Sequence, residues 1–323
     1  MPSTRGGHHG DVAYVFEDDG FNSAPNDTDF KVFGGNTVLD TFDGSHQAVR
    51  IFNAERYAAN IIEQTFDGAF SITCENFTEP PWWLAGLFGQ PNSTNVAGNL
   101  YDHTYDLDNN NDPVSLRLYL PTDGFNEYKV IPGAVIASVT VDQGNDSGPD
   151  LTISGAYASE PFTESSLSPS SPDFAEESFV NRDATLTVDG NDVARAQSTT
   201  LSIESNTEMI GEIGAEDAVD FTPRAWEPSL DFEKIITVGQ TTDVLTLFSD
   251  ATQFATTLDY NNGESSDAEY GVTFDVSGDF PGEYSESGRN DPEADLTEDL
   301  STQAEDVDAT ITEDAANPPG VSP

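Results

Sequence analysis

From residue 60 onward, apolar and polar side chains alternate with a period of two, in short runs separated by Gly, Asn, Asp and Pro. A strand turns successive side chains to opposite faces, so this pattern calls for sheets with one face buried and the other wet. Residues 60–77, NIIEQTFDGAFSITCENF, read as a hairpin turning at Asp67-Gly68, with Ile62, Phe66, Phe70, Ile72 and Cys74 on its buried face. A second hairpin joins GAVIASVTV (133–141) to LTISGAY (151–157) through a Gly/Asn/Asp/Pro loop at 144–150. A third turns at Asp189-Gly190 after ATLTV, and further strands are expected at 230–238, 254–260 and 270–276.

Two short helices interrupt the strands. Thr78 stands before Glu79-Pro80-Pro81, a first turn that tolerates proline, and WWLAGLF continues until Gly89 and Pro91 stop it. The second is TTDVLTLFSD, 241–250. Strand, helix, strand, strand then recur in the same order in the two halves, a pseudo-repeat of order more than of identity. The expected fold is mainly β, a β-sandwich or barrel with short flanking helices.

Charge decides what such a sheet protein can touch. Of 323 residues, 59 are Asp or Glu and 11 are Lys or Arg, a formal net charge of −48. Three lysines, Lys31, Lys129 and Lys234, leave no basic patch to neutralise a phosphate backbone, so electrostatic grip on nucleic acid is excluded. Acid-rich chains are often disordered, but 20 Phe, 10 Tyr and 3 Trp supply core material that disordered acidic segments lack. Lysine depletion with acid enrichment points to a molar-salt cytoplasm, where the Debye length is about 3 Å and self-repulsion is screened. An acidic interaction protein from an ordinary host is the alternative. The single Cys74 rules out an intramolecular disulfide framework, and neither a membrane span nor a secretory signal is visible, so no membrane is expected as a partner.

Composition divides the chain into an N-terminal arm (1–20), a β domain (21–285) carrying an acidic Ser/Pro loop (160–177), and an acidic C-terminal extension (286–323). The extension holds 11 acids, one base and four prolines, the composition of a solvated tail.

No catalytic constellation stands out, and no enzyme activity, cofactor or metal is expected. DLDNNND places Asp106, Asp108, Asn110 and Asp112 at alternate positions of an EF-hand-like loop, but Asn111 replaces the required Gly and Arg117 the bidentate Glu. His8-His9 lack a third fixed ligand, His46 and His103 stand alone, and no GxSxG elbow occurs. Among 59 acids no carboxylate pair is informative. Four N-x-S/T sequons, at Asn26, Asn76, Asn92 and Asn145, are read as chance. Trp82 and Trp83 are adjacent, about 100° apart on a helix, so they either fill a broad core or turn one ring toward a neighbouring subunit. Inter-subunit packing is the expectation.

The order of segments resembles the major tail tube proteins of long-tailed viruses. The pieces that carry the resemblance are FDGAFSITCENF leading into WWLAGLFG, EYKVIPGAVIASVTVDQ, LTISGAY, FVNRDATLTVDGNDVA, TTLSIESNTEMIGEIG, and the closing LDFEKIITV and TLFSD. They cover roughly residues 12–280, and no single motif is diagnostic. The resemblance implies a virion protein made in the host cytoplasm, with six copies per ring stacked into a hollow tail tube. Hairpins would join between subunits into one barrel, and tape-measure, tail-terminator and distal tail proteins would be partners. With the acidic composition it implies a virus of a halophilic archaeon.

DNA would then pass a lumen lined by hairpins 60–77 and 134–158, through Glu63, Thr65, Ser71, Thr73, Glu75, Ser138, Thr140, Thr152 and Ser154. Neither hairpin contains Lys or Arg, so phosphates find no cation to replace their counterions. The alternative reading is a soluble β-sandwich decoration, tail-adaptor or adhesion module.

Overall fold

In a computed structural model of the chain, residues 12–313 are described except 18–19, 24–29, 52–59, 78–79, 108–111, 123–126, 165–178, 180–182, 213–214, 216, 237–243, 263–269 and 289–294; for 46–51, 60–65, 121–122 and 127 the backbone alone is described. In chain order the strands begin with β1 (Ala13–Phe16), β2 (Lys31–Val32), β3 (Gly35–Ile51), β4 (Asn60–Glu75), β5 (Asn92–Ala97), β6 (Leu100–Asp106) and β7 (Leu116–Thr122). They continue with β8 (Glu127–Gly144), β9 (Asp150–Tyr157), β10 (Phe162–Glu164), β11 (Ala184–Val188), β12 (Asn191–Asp192), β13 (Ala196–Glu204), β14 (Glu208–Gly211) and β15 (Ala218–Thr222). The last five are β16 (Glu227–Ile235), β17 (Phe254–Asn261), β18 (Gly271–Ser287), β19 (Thr297–Gln303) and β20 (Asp306–Glu313). Helix α1 (Ala85–Phe88) follows a 3₁₀ turn at Trp82–Leu84, and α2 is Val244–Asp250.

All pairings are antiparallel, and they build two layers. The first runs β3–β4–β9–β8–β13–β16–β19–β18, using the C-terminal half of β18. The N-terminal half of β8 carries β7, β1 and β2 on one side and β10 on the other. The second runs β5–β6–β20–β18–β17–β11–β12, using the N-terminal half of β18. β18 thus passes from one layer to the other, turning at Gly278, whose φ of 68° suits glycine. The hairpin β14–β15 stands apart from both layers.

Between the layers lies one apolar cluster. Ile72, Val139, Val141, Leu151, Ile153, Leu201 and Ile203 face inward from the first layer; Leu258, Tyr260, Val272, Phe274, Val307, Ala309 and Ile311 do so from the second. Each fully buried Ile or Leu contributes about 1.5–3 kcal/mol. The architecture is therefore mainly β and sandwich-like, and no closed barrel forms among the described residues.

Several expectations hold. β8 and β9 form the hairpin read from 133–157. Asp189 and Gly190, with φ of 47° and 71°, make the tight turn between β11 and β12. The strands expected at 230–238, 254–260 and 270–276 appear as β16, β17 and β18, and both helices are present.

Three expectations are corrected. Residues 60–75 form one unbroken strand, paired with β3 along its length, so Asp67-Gly68 is no turn. Gly68 is there for space: a Cβ would lie 2.5 Å from the Tyr157 ring. The C-terminal extension is no solvated tail from 297 to 313, because β19 and β20 are interior strands of the two layers. Leu300, Val307, Ala309 and Ile311 point inward, while Asp299, Asp306 and Asp308 take the alternate positions, and the acid content masked that period. Trp82 and Trp83 are 4% and 0% exposed within the subunit's own core, with Trp83 Nε1 donating to the Phe33 carbonyl at 3.1 Å. Their broad site, shared with Leu84, Leu87 and Phe88, takes both rings, so neither is left to pack on a neighbour. The pseudo-repeat is only partial: β5 and β6 stand between α1 and β7 with no counterpart between α2 and β17, and the Trp82–Phe88 segment is wholly buried whereas only Val244 of α2 is.

Candidate functional site

In β4, β9, β8 and β13 the inward positions are mostly Phe, Val, Ile, Leu and Cys, with Gln143 and Thr199 at one end, which leaves Ser, Thr and acids on the opposite face. Strand register then lines those residues up across the first layer. One row reads Ser71, Ser154, Ser138 and Glu204. The next reads Thr73, Thr152, Thr140, Ser202 and Ser229. A third reads Glu75, Asp150, Asp142, Thr200 and Asp231.

Seven of the residues expected to line a lumen, Ser71, Thr73, Glu75, Ser138, Thr140, Thr152 and Ser154, therefore share one face, although the first hairpin was misread. The reason is that parity along a strand survives the loss of a turn at Asp67-Gly68. Glu63 and Thr65 lie on the β4 backbone, and their side chains fall outside the described residues. Missing from the sequence reading were Thr200, Ser202 and Glu204 of β13 and Ser229 and Asp231 of β16, which extend the same face. The alternation in TTLSIE carried that signal, but which strand neighbours which is not written in a local pattern.

Hydroxyls on this face bond one another and the flanking acids. Ser154 Oγ donates to Ser71 Oγ at 3.0 Å, Thr200 Oγ1 to Asp142 at 2.6 Å, and Thr73 Oγ1 to Asp40. Partial desolvation raises the Asp150 carboxyl above the usual carboxylate range, and the charges of Glu75 and Asp142 alongside add to it. No Lys or Arg occurs in β4, β9, β13 or residues 133–144 of β8. Lys234 of β16 is buried in an ion pair with Glu298 at 3.2 Å, on the opposite side of the strand. Among the described side chains the face thus offers hydroxyls and carboxylates and no cation to hold an anion; Arg50, which pairs with Ile61 on β4, has its side chain outside them.

The other candidates resolve differently. Asp108, Asn110 and Asn111 lie outside the described residues, and Arg117 is buried against Glu17 at 3.4 Å. Asp106 instead meets Asp306 and Asp308 of β20, with one carboxylate oxygen of each within 4.8 Å of the others. His103 is buried, its Nδ1 2.7 Å from Ser93 Oγ and its ring edge-on to Trp82. His8, His9, the side chain of His46, Thr78, Asn26 and most of the acidic loop (165–177) lie outside the described residues. Asn76 is committed to the Phe179 carbonyl, and Asn145 donates to Gln197 at 2.8 Å. Burial pushes the Cys74 thiol up to about 12, aided by Asp150, so it is unreactive.

No family model and no curated protein sequence matches this chain. Among solved structures it is similar to a chain in the cryo-EM structure of the anti-feeding prophage baseplate, 6-fold symmetrised. The TM-score is 0.27 at 13% identity, covering 54% of this chain and 91% of that one. A score that low carries no argument about fold or role.

Proposed function

We propose that the chain is a structural subunit of a virus tail tube, without catalytic activity, whose hydroxyl-rich face lines an axial channel for DNA. The observation that supports this most is the combination of a wide polar face, with no base among its described side chains, and two open ends. Among the described residues β3 pairs only with β4, and residues 280–287 of β18 pair only with β19, so each end of the first layer presents an unpaired edge. Such edges invite pairing with another chain. Because they differ, a contact between copies would be head-to-tail, the kind that closes into a ring when the rotation per subunit allows it. Six subunits per ring, stacking into a tube, and association with tape-measure, tail-terminator and distal tail proteins belong to the same reading. So does a host with molar internal salt. DNA would slide past hydroxyls and scattered carboxylates without counterion release to capture it.

The test is assembly of the purified chain in multimolar salt, followed by sedimentation and negative-stain microscopy. Stacked rings with an axial hole are expected, and Leu39→Pro, which disrupts the edge strand β3, should reduce the ring population. Monomers at every concentration would overturn the reading; single rings that never stack would point to an adaptor instead. In assembled particles Glu75→Lys should leave the tube intact and slow genome passage.

A further inference from the structure

Of the chain's three lysines, Lys31 and Lys129 are half-buried, whereas Lys234 is 1% exposed. Strand register sets it in a row of three: Lys234 of β16, Glu298 of β19 and Glu286 of β18 stand opposite one another on neighbouring strands. Opposite residues of an antiparallel pair share a face, with Cβ atoms about 4.5–5.5 Å apart. Glu298 is 2% exposed, and its Oε1 lies 3.2 Å from Lys234 Nζ. The adjoining row on the same face is Phe232, Leu300 and Tyr284, and Phe248 of α2 stacks on Tyr284 with ring centroids 5.7 Å apart. The Tyr284 hydroxyl donates to Glu286 Oε1 at 2.8 Å and lies 3.5 Å from Glu298 Oε2, so it links the two carboxylates. A buried ion pair adds little stability by itself, because both ions lose their hydration, and a second acid beside it adds repulsion. An amine, a carboxyl and a proton carrier held together out of water are, however, the groups that amide formation requires.

We propose that Lys234 and Glu298 condense into an isopeptide bond that staples β16 to β19, a single self-reaction of the folded chain. A proton first passes from the ammonium to the carboxylate, giving a neutral amine and a neutral acid; this costs less here than in water, because neither ion is hydrated. The Nζ lone pair then attacks Glu298 Cδ and forms the C–N bond. A proton lost from Nζ is handed through the Tyr284 hydroxyl to the departing hydroxyl of Glu298, the C–O bond breaks and water leaves. Glu286 holds the Tyr284 hydroxyl in place and ends as it began, so it is a positioning residue. The balance is ammonium plus carboxylate giving amide plus water, with no oxidant, reductant or co-reactant. Water favours the reverse reaction for separate molecules. Here the fold holds amine and carboxyl in contact, an arrangement that reaches effective molarities of about 10⁵–10⁸ M, and the buried site disfavours the ion pair that hydrolysis would restore. The bond would fix β19, which among the described residues is the sole partner of residues 280–287 of β18. The proposal does not depend on the tube reading.

The test is the intact mass of the full-length chain, folded in molar salt and then denatured, together with a protease digest. The mass should fall below the sequence mass by one water, and the digest should yield one branched peptide carrying residues 234 and 298. Lys234→Arg, which keeps the charge, should restore the full mass. Followed by mass after cell-free synthesis, Tyr284→Phe and Glu286→Gln should each form the bond about a hundredfold more slowly, and Glu286→Asp should recover most of the rate. The full sequence mass in the unmodified chain would overturn the proposal. So would a water loss that persists in Lys234→Arg, since the dehydration would then lie elsewhere. Equal rates in the Tyr284 and Glu286 variants would overturn the proton path. The branched peptide from the unmodified chain decides the matter even if a variant fails to fold.

Discussion

On the outer face of the first layer the two central rows are mostly hydroxyls, with carboxylates gathered at the margins in Glu75–Asp150–Asp142 and at Glu204 and Glu227. On the second layer acids and threonines interleave. Thr312 donates to Asp102 at 2.8 Å, Thr273 to Asp259 at 2.6 Å, and Thr257 to Asp275 at 2.7 Å. Asp106, Asp308 and Asp275 there stand side by side on three strands. Both faces are wet, and both satisfy their polar groups locally. What differs is where charge is tolerated: one layer keeps a nearly neutral stripe, whereas the other spreads carboxylates across its width. A neutral stripe suits a surface that must neither hold nor strongly repel an anion, and a carboxylate lattice suits solvent.

The strongest way to break this comparison is to remove a layer. β20 is the strand between β6 and β18, so truncation at residue 296 should abolish cooperative thermal unfolding, not merely lower the Tm. A truncated chain that unfolds with an unchanged Tm would show that the second layer does not need β20.

A smaller effect separates the two sides of one strand. Ile153→Ala, in the buried row, should cost about 2–5 kcal/mol by urea unfolding, and Thr152→Ala, next to it on the polar face, within about 0.5 kcal/mol. Equal costs would mean that both faces are covered.

The joint between the layers is sensitive to pH. Asp279 is buried where β18 changes layer and accepts hydrogen bonds from Thr256 and Thr302, at 3.1 Å for the latter. Burial pushes its carboxyl up to about 6, against those hydrogen bonds. Between the unfolded value near 3.8 and about 6 the folded state therefore binds more protons, and this residue's contribution to stability falls as pH rises through that window. Asp279→Asn should flatten the stability profile between pH 4 and 6 by up to about 3 kcal/mol. A profile that keeps its slope in the variant would assign the proton elsewhere.

The smallest effect concerns the carboxylate margin. Lowering salt from molar to about 0.1 M lengthens the Debye distance from about 3 to 10 Å, so the chain should lose stability. Asp150→Asn, which breaks the Glu75–Asp150–Asp142 row, should reduce that loss by a few tenths of a kcal/mol. An unchanged Tm across this salt range would remove the case for a molar-salt environment.

Local chemistry was legible in the sequence wherever it was unambiguous. Asp189-Gly190 turns because both residues hold positive φ, and the β8–β9 hairpin follows from alternation on either side of a turn-rich loop. Asp67-Gly68 carries the same dipeptide for another reason, the nearness of Tyr157, a residue far away in sequence. β19 and β20 were hidden because acid counting averages over the period of two that Val307, Ala309 and Ile311 obey. The polar face was half legible: parity along β4, β8 and β9 could be read, but the neighbourhood of β13 and β16 is set by long-range pairing. The row of Lys234, Glu298 and Glu286 left no signal, since it depends on which strands lie side by side.

The central claim is that the hydroxyl face lines a channel, and a cryo-EM map of the chain assembled in multimolar salt tests it most directly. The account predicts Ser71, Thr140, Thr152 and Ser202 on the channel wall, with β3 of one subunit paired to residues 280–287 of the next. A map that places those side chains on the outer surface, or leaves both edges unpaired, would contradict it.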